Sequence, residues 1–307
     1  MTINVKIIAD SISPQGVRLT TFELEYPRFI HAEMMTHRVF SRNAQSSRAV
    51  PVSKSLALEY VEPIIYGKNQ PGMSSYEELS EEARKECQYY WHALVRYCKD
   101  FSERMSKAGL HKQWANRPLE WHSNIKVVVT ATEWDNFFWL RIDPDAAQPE
   151  IVELATKMKE AMDASKPSRL YPGMWHLPYV QTLLFPNGDT QYRVGDPENW
   201  VSLDVETAKK VSASCCAQVS YRKLDTSVEK ALEIYEKLFS GPKPHLSPVE
   251  HQATPIDESV GAYSIGRNVP NDGYSWEEGI THMDKDAQLW SGNLRGWIQL
   301  RQVMNAN

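Results

Sequence analysis

What this 307-residue chain has little of removes several classes of function. Positive charge is not in excess. Against 39 Asp and Glu stand 34 Lys and Arg, a formal net charge of −5, so no general field gathers nucleic acid and any anion must be captured by a local cluster. Long apolar runs are missing too: no stretch approaches the roughly 20 residues of a membrane span. The leading MTINVKIIAD lacks the basic and apolar regions of a secretory signal, which predicts a cytoplasmic protein without a membrane partner. Cysteine is sparse. Cys87, Cys98, Cys215 and Cys216 have neither the number nor the spacing of a disulfide framework or a zinc site, and the adjacent pair points two ways on any helix, so no metal is expected. Cys87 and Cys98 fall in a helical pattern and read as buried thiols acting as small hydrophobes. Core material, by contrast, is plentiful: 42% hydrophobic residues with ten Trp suffice for one large domain or two ordinary ones.

The chain alternates strand-like and helix-like patterns. Ile3 to Ile8 and Val17 to Tyr26 read as strands joined by a turn at Ser13-Pro14-Gln15-Gly16, and Ile125 to Ala131 is the most strand-like run of all. A long helix is predicted from Tyr76 to about Lys107, started by Ser74 and Ser75 and stopped by Gly109. Its Tyr90, Trp91, Leu94, Val95, Cys98, Phe101 and Met105 recur at three- and four-residue intervals, as a core or a subunit interface does. Further helices are predicted from Glu133 to Arg141, with Phe137, Phe138 and Trp139 packed around it, from Gln148 to about Ala164, and from Val228 to Phe239. Five prolines between Lys166 and Ser202 predict an irregular segment there, an arm for a neighbouring subunit or a lid. Near the C-terminus, Asp272-Gly273 marks a turn and Leu294, Ile298 and Arg301 suggest a closing helix. Arg295 and Arg301 read as salt-bridge partners of the acidic loop before it in preference to phosphate ligands.

Polar function concentrates in Thr36 to Val50, THRVFSRNAQSSRAV. Arg38, Arg42 and Arg48 supply planar, permanently charged forks, and Ser41, Ser46 and Ser47 add hydroxyls beside backbone amides, the two kinds of group that phosphate recognition needs. Before it, Phe29, Ile30, Met34 and Met35 can lie on one helical face after Pro27, which puts the arginines where a helix gives way to a loop.

The offsets within that stretch carry more information. His37-Arg38, seven residues, then Ser46 and Arg48, with Asn43 between, resembles the signature of the flavin-dependent thymidylate synthases, Arg-His-Arg, seven residues, Ser. Thr36 stands where that family has its first Arg, Ala44 where it commonly has Glu, and Ala49 where it commonly has Tyr. A second region is similar: Asn136, Arg141, Ala147-Gln148 and Glu150-Ile151 match the family's Asn, four residues, Arg, followed by Ala-Gln and Glu-Ile. A third is out of order. Ala217, Val219, Ser220 and Tyr221, then His245, Ser247, Pro248, Glu250 and His251, resemble runs that stand at the amino end of the usual family. That inversion looks like a circular permutation, which folds tolerate because the same contacts form from a differently opened chain. In the ordinary order PHLSPVEH would lead directly into the VRLTTFELEY strand. None of the cysteines has the Pro-Cys setting of the other, flavin-free class of thymidylate synthases.

The resemblance implies an α/β fold of α+β type, with a mixed or antiparallel sheet and long helices in one permuted domain over 1–307. Within it, 1–164 holds the signature and nucleotide regions, 165–202 an irregular insertion, 203–252 the permuted flavin region and 253–307 a C-terminal extension. It implies a homotetramer with shared active sites, non-covalent FAD, and reductive methylation of dUMP, or a related pyrimidine nucleotide, with methylenetetrahydrofolate and NADPH as co-substrates. By carry-over, Thr36, His37, Arg38, Thr130, Asn136, Ser220, His245, Ser247 and Glu250 face the cofactor. Glu33, Gln45, Ser46, Ser47, Arg48, Arg117 and Arg141 face the nucleotide, with Lys112 a competitor to Arg117, while His111 and His122 read as structural. Arg141 and Ser46 are the expected catalytic residues. Two alternatives stay open: capture of the methylene adduct by water, giving 5-hydroxymethyl-dUMP, and a non-catalytic protein that binds single-stranded nucleic acid through its arginines and aromatics.

Overall fold

The computed structural model describes residues 3–75, 77–220, 225–239, 241–256, 282–283, 289–290 and 292–305. The runs richest in β-branched residues form its central sheet. β1 (Asn4–Ile12) and β2 (Arg18–Pro27) make the expected hairpin, closed where Gly16, at φ +82°, donates its N–H to Ser13 O. β2 pairs antiparallel with β4 (Asn124–Ala131), whose other edge takes the short β3 (Ser41–Ala44). β5 (Ser168–Arg169) runs parallel to β1, so the order is β3-β4-β2-β1-β5. The fold is of the mixed α/β kind. Part of what reads as an Arg/Ser loop is thus an edge strand, because β4 offers it a free row of hydrogen-bonding groups.

Side-chain alternation gives the sheet two different faces. Phe22, Leu24 and Tyr26 of β2 and Val127, Val129 and Ala131 of β4 pack against α6 (Asp135–Arg141) and α7 (Pro149–Ala164), whose Ile151, Leu154, Ala155 and Met158 are wholly buried. Each such large apolar side chain contributes roughly 1.5–3 kcal/mol. The opposite face presents Thr21, Glu23 and Glu25 of β2 beside Thr130, Val128 and Lys126 of β4. Its upper half is covered by the tail of the chain.

Between β2 and β4 run α1 (His31–Met35), α2 (Val52–Leu56), the 27-residue α3 (Glu81–Lys107), α4 (Lys112–Ala115) and α5 (Arg117–Glu120). α3 starts later than the sequence suggests. Its N-cap is Ser80, which accepts from Ala83 N–H, because Ser75 is occupied in a bridge between 66–68 and 77–79, donating to Lys68 O and Glu77 O. Its end is the expected one. Gly109 at φ +91° and Leu110 return N–H bonds to Ser106 O and Met105 O, which satisfies the last carbonyls. Tyr90, Leu94, Tyr97 and Phe101 form an exposed stripe, whereas Val95 is buried. Cys87 is exposed and Cys98 only half-buried, contrary to the buried thiols expected there.

The proline-rich segment is more ordered than its composition suggests. Leu170, Trp175, Leu177 and Val180 are buried within this chain, so they are core and not an arm, and β6 (Gln181–Leu184), β7 (Thr190–Val194) and β8 (Val201–Leu203) form an antiparallel sheet. The prolines punctuate its turns. With α8 (Val205–Ala217) and α9 (Val228–Phe239) this segment builds a second cluster of buried apolar residues. Beyond it, β9 (Ala253–Pro255) pairs with β12 (Trp297–Gln299), β10 (His282–Met283) pairs with β11 (Leu289–Trp290), and α10 (Leu300–Asn305) closes the described chain. Leu294 and Ile298 precede that helix instead of lying in it. Arg295 pairs with Glu133 and Arg301 with Glu250, while the acidic loop expected to pair with them lies outside the described residues. Tyr76, Tyr221, the Asp272-Gly273 turn, most of 253–290 and the side chain of Ser220 lie outside the described residues.

Candidate active site

The signature begins where α1 stops. Ile30 and Met34 bury one face of that short helix, Met35 stays exposed, and Arg42 Nη1 donates to the carbonyls of Met34, Met35 and His37 at 3.4, 3.0 and 3.1 Å. Arg42 therefore caps a helix, instead of presenting its guanidinium to an anion as its composition suggests. Arg38 is exposed, and among the described residues nothing pairs with its guanidinium.

Arg141, the last residue of α6, reaches the same turn. Its Nη1 donates to Glu33 Oε2 at 2.9 Å, its Nη2 to Thr36 Oγ1 at 3.2 Å and its Nε to His37 Nε2 at 3.3 Å. All three edges of the fork are used, so its plane is fixed. Because His37 Nε2 accepts, its proton sits on Nδ1, and the ring is wedged between Phe40 and Phe137. Burial, then Arg141 and Arg42, push the His37 pKa below its usual value, so it is neutral at pH 7. Burial pushes the Glu33 carboxyl above its usual range, against the pull of Arg141.

The tail arrives at the other side of this turn. Ser247–Glu250 form one 3-10 turn, and with the Asn43 amide oriented to satisfy both its ends, Asn43 donates to Ser247 O at 3.2 Å. Ser247 and His245 are exposed. Glu250 is held by Arg301, and its carbonyl accepts from Gln299 Nε2 at 2.8 Å, so the extension braces this lip. β12 also sits by the start of β2, with Trp297 Nε1 donating to Val17 O.

Beneath the lip runs a buried chain of hydrogen bonds. Ser11 Oγ meets His176 Nδ1 at 2.8 Å, His176 Nε2 meets Thr21 Oγ1 at 2.7 Å, and Thr21 meets Thr130 at 2.7 Å. Thr130 meets His251 Nδ1 at 2.8 Å. Burial drives the pKa values of both histidines down to about 3, so both are neutral. Thr130 is wholly buried and fully engaged here. Sequence reading missed His176, although the shared face of Thr21 and Thr130 was readable from alternation.

The remaining expected residues gather elsewhere. Gln45 is fixed by backbone pairing to Lys126, Ser46 Oγ accepts from Arg48 N–H at 3.3 Å and keeps its own proton to donate, and the Arg48 side chain is exposed. Asn116 Nδ2 donates to Ser47 O and Val50 O, and Lys112 Nζ to Ala49 O, which clamps this loop against α4 and α5. Arg117 is tied to Glu120. The four residues of β3 put about 13 Å of strand between this group and the Arg141 turn. Asn136 stands apart from both, exposed in a cleft of about 540 Å³ with Arg18 and Trp134.

Solved structures with a similar arrangement include a UMP/dUMP methylase, PolB, from Streptomyces cacaoi bound with 5-Br UMP, at 20% identity and TM-score 0.46, covering 52% of this chain and 88% of that one. The same enzyme bound with 5-Br dUMP aligns at 16% identity and TM-score 0.45, covering 52% and 90%. No curated protein matches. The Thy1 family profile, described as thymidylate synthase complementing protein, matches residues 13–168, just over half of the chain and the span that runs from the β1–β2 turn through the signature and Arg141 to β5. By that match the chain belongs to the thymidylate synthase complementing protein family.

Proposed function

We propose that this protein is a flavin-dependent thymidylate synthase that converts dUMP to dTMP, with methylenetetrahydrofolate as the carbon donor and NADPH as the reductant. The observation that carries the reading is the three-point seating of Arg141 on Glu33, Thr36 and His37, the last next in sequence to the exposed Arg38, which is unpaired among the described residues. The donor set fits a flavin dinucleotide. Arg38 suits a pyrophosphate, and the exposed Ser247 and His245 supply hydrogen-bonding groups on the lip beside β3. Thr36, His37, Asn136, Ser220 and Glu250 would complete that contact. When bound, FAD supplies the reducing equivalents.

The chain's own residues prepare the nucleotide. A guanidinium held against uracil N3 favours the deprotonated, electron-rich ring and raises the nucleophilicity of C5, so no cysteine adduct is required. Cys215 and Cys216 are in any case poor nucleophiles, since burial pushes the Cys215 thiol up to about 12 and Cys216 well above its usual value. Ser46, Ser47, Arg48 and Arg117 would hold the nucleotide's phosphate and sugar, and Glu33 and Gln45 its base. The distance between that loop and Arg141 supports sites completed by neighbouring copies, and the apolar stripe on α3 supplies a surface for assembly. Replacing Leu94 by Glu is therefore expected to reduce the particle mass from tetramer to smaller species in light scattering, with loss of turnover. An unchanged mass removes α3 from the interface.

The test of the reading is direct. Purified protein should show a flavin absorption spectrum that strengthens when FAD is added, and mass spectrometry should find dTMP when dUMP, methylenetetrahydrofolate and NADPH are supplied. A colourless protein that never takes up FAD ends the proposal. Hydroxymethylated product, or turnover of dCMP instead, redirects it to the corresponding pyrimidine chemistry.

A further inference from the structure

Arg28 directly follows β2, and its environment is unusual for a cation. Its backbone N–H donates to Ser123 O, but among the described residues its guanidinium makes only one long bond, Nη2 to Gln45 O at 3.4 Å, and its enclosed Nε has no partner there. Among the described residues no carboxylate lies within ion-pair distance of it. The acid that most affects it, Glu120, is already bonded to Arg117 at 3.0 and 3.1 Å. Burial pushes its pKa below the usual arginine value. A charge taken from water without compensation is costly, so a chain that keeps one here has a reason beyond folding.

The surroundings indicate what that reason is. Arg28 lines a cavity of about 40 Å³ with Ser47, Asn116, Asn124 and Glu120, the last held by Arg117, room for about three waters or one tetrahedral oxyanion. This cavity shares Gln45, Val50, Leu58 and Asn124 with a cleft of about 580 Å³ that also carries Lys54 and Lys126 together with Glu25 and Glu59, a size suited to a small-molecule ligand. Two more polar atoms there lack partners: Oδ1 of Asn116, a residue 1% exposed, and Oδ1 of Asn124. Both are acceptors awaiting a donor.

We propose that Arg28 is an oxyanion-binding residue, its guanidinium taking a phosphate or carboxylate oxygen of a ligand whose hydroxyl or N–H groups bond Asn116 and Asn124. The identity of that ligand rests on the function proposed above: the 5′-phosphate of dUMP supplies the anion and its sugar hydroxyl the donor. Arg28 thereby joins Ser47 in the nucleotide loop from behind.

Inorganic phosphate provides the first probe. It should raise the Tm of the wild-type protein by about 2–4 °C and leave that of Arg28→Gln unmoved. Without ligand, Arg28→Gln should be at least as stable as wild type, because an uncompensated charge has gone; a merely structural arginine would lower Tm on removal. In calorimetric titration, the variant should bind dUMP about 10- to 100-fold more weakly while its affinity for deoxyuridine is unchanged. Equal phosphate responses in the two proteins, or a fall of several degrees in the unliganded variant, overturn the inference. If the phosphate response depends on Arg28 but wild type does not bind dUMP, the oxyanion site stands and the thymidylate reading falls. An effect confined to the KM of methylenetetrahydrofolate overturns the nucleotide as the source of the anion and assigns it to the folate carboxylates.

Discussion

Arg141→Ala should lose turnover by about 10²–10³-fold or more, the scale seen when one preorganised electrostatic donor is removed, while the flavin spectrum is retained. Arg141 brings a positive charge to the turn, and three hydrogen bonds fix its plane before any ligand arrives. Arg141→Lys separates charge from geometry. A lysine keeps the positive charge but reaches one partner where the fork reaches three, so most of the activity should still be missing. Glu33→Gln makes the complementary test: the amide oxygen can still accept from Nη1, but the carboxylate no longer neutralises the guanidinium. Steady-state kinetics with dUMP measure all three, and normal turnover in Arg141→Ala removes that residue from the chemistry.

Acid should unfold this protein steeply, because two neutral histidines are sealed beneath the site. His176 and His251 have folded pKa values of about 3 against an ordinary 6.5, burial being the first cause in each case, with Asp10 opposing it for His176 and His176 adding to it for His251. The unfolded chain therefore binds up to two more protons than the folded one between those values. Their contribution is fully present above pH 6.5 and is lost as pH falls towards 3. Each group costs about 1.4 kcal/mol per pH unit, so from pH 5 to pH 4 the pair removes about 3 kcal/mol, a large part of a typical total of about 5–15 kcal/mol. Urea unfolding at successive pH values reads this slope. His251→Asn should be less stable at pH 7, through its lost bond to Thr130, yet show about half the wild-type pH slope over the acid range. An unaltered slope would mean that other groups govern acid unfolding.

Local pattern made much of this molecule readable. The β1–β2 hairpin, β4, α6, α7 and α9 follow from β-branched runs, turn residues and three- or four-residue apolar repeats, which report the environment of a segment without reference to the rest. Short-range offsets likewise flagged the signature turn. Misreadings fell where a side chain had another partner: Ser75 served a bridge instead of capping α3, and Arg42 served helix carbonyls instead of an anion. Prolines at turns made the β6–β8 sheet look irregular, and Cys87 sat on the outward side of its helix.

By itself, then, the sequence determined the strands and helices, the absence of a net positive field, and which arginines and serines were available to a ligand. Only tertiary structure decided which of them meet. Arg141 and Glu33 stand 108 positions apart and His176 and Thr21 155 apart, and whether such pairs bond depends on how the sheet, α6 and the tail pack, not on any local period. Burial is also a property of the packed whole. It is the first cause that keeps His176 and His251 neutral and that lowers the pKa of Arg28, which has no carboxylate in ion-pair distance among the described residues, since desolvation depends on what surrounds a group and not on its neighbours in sequence.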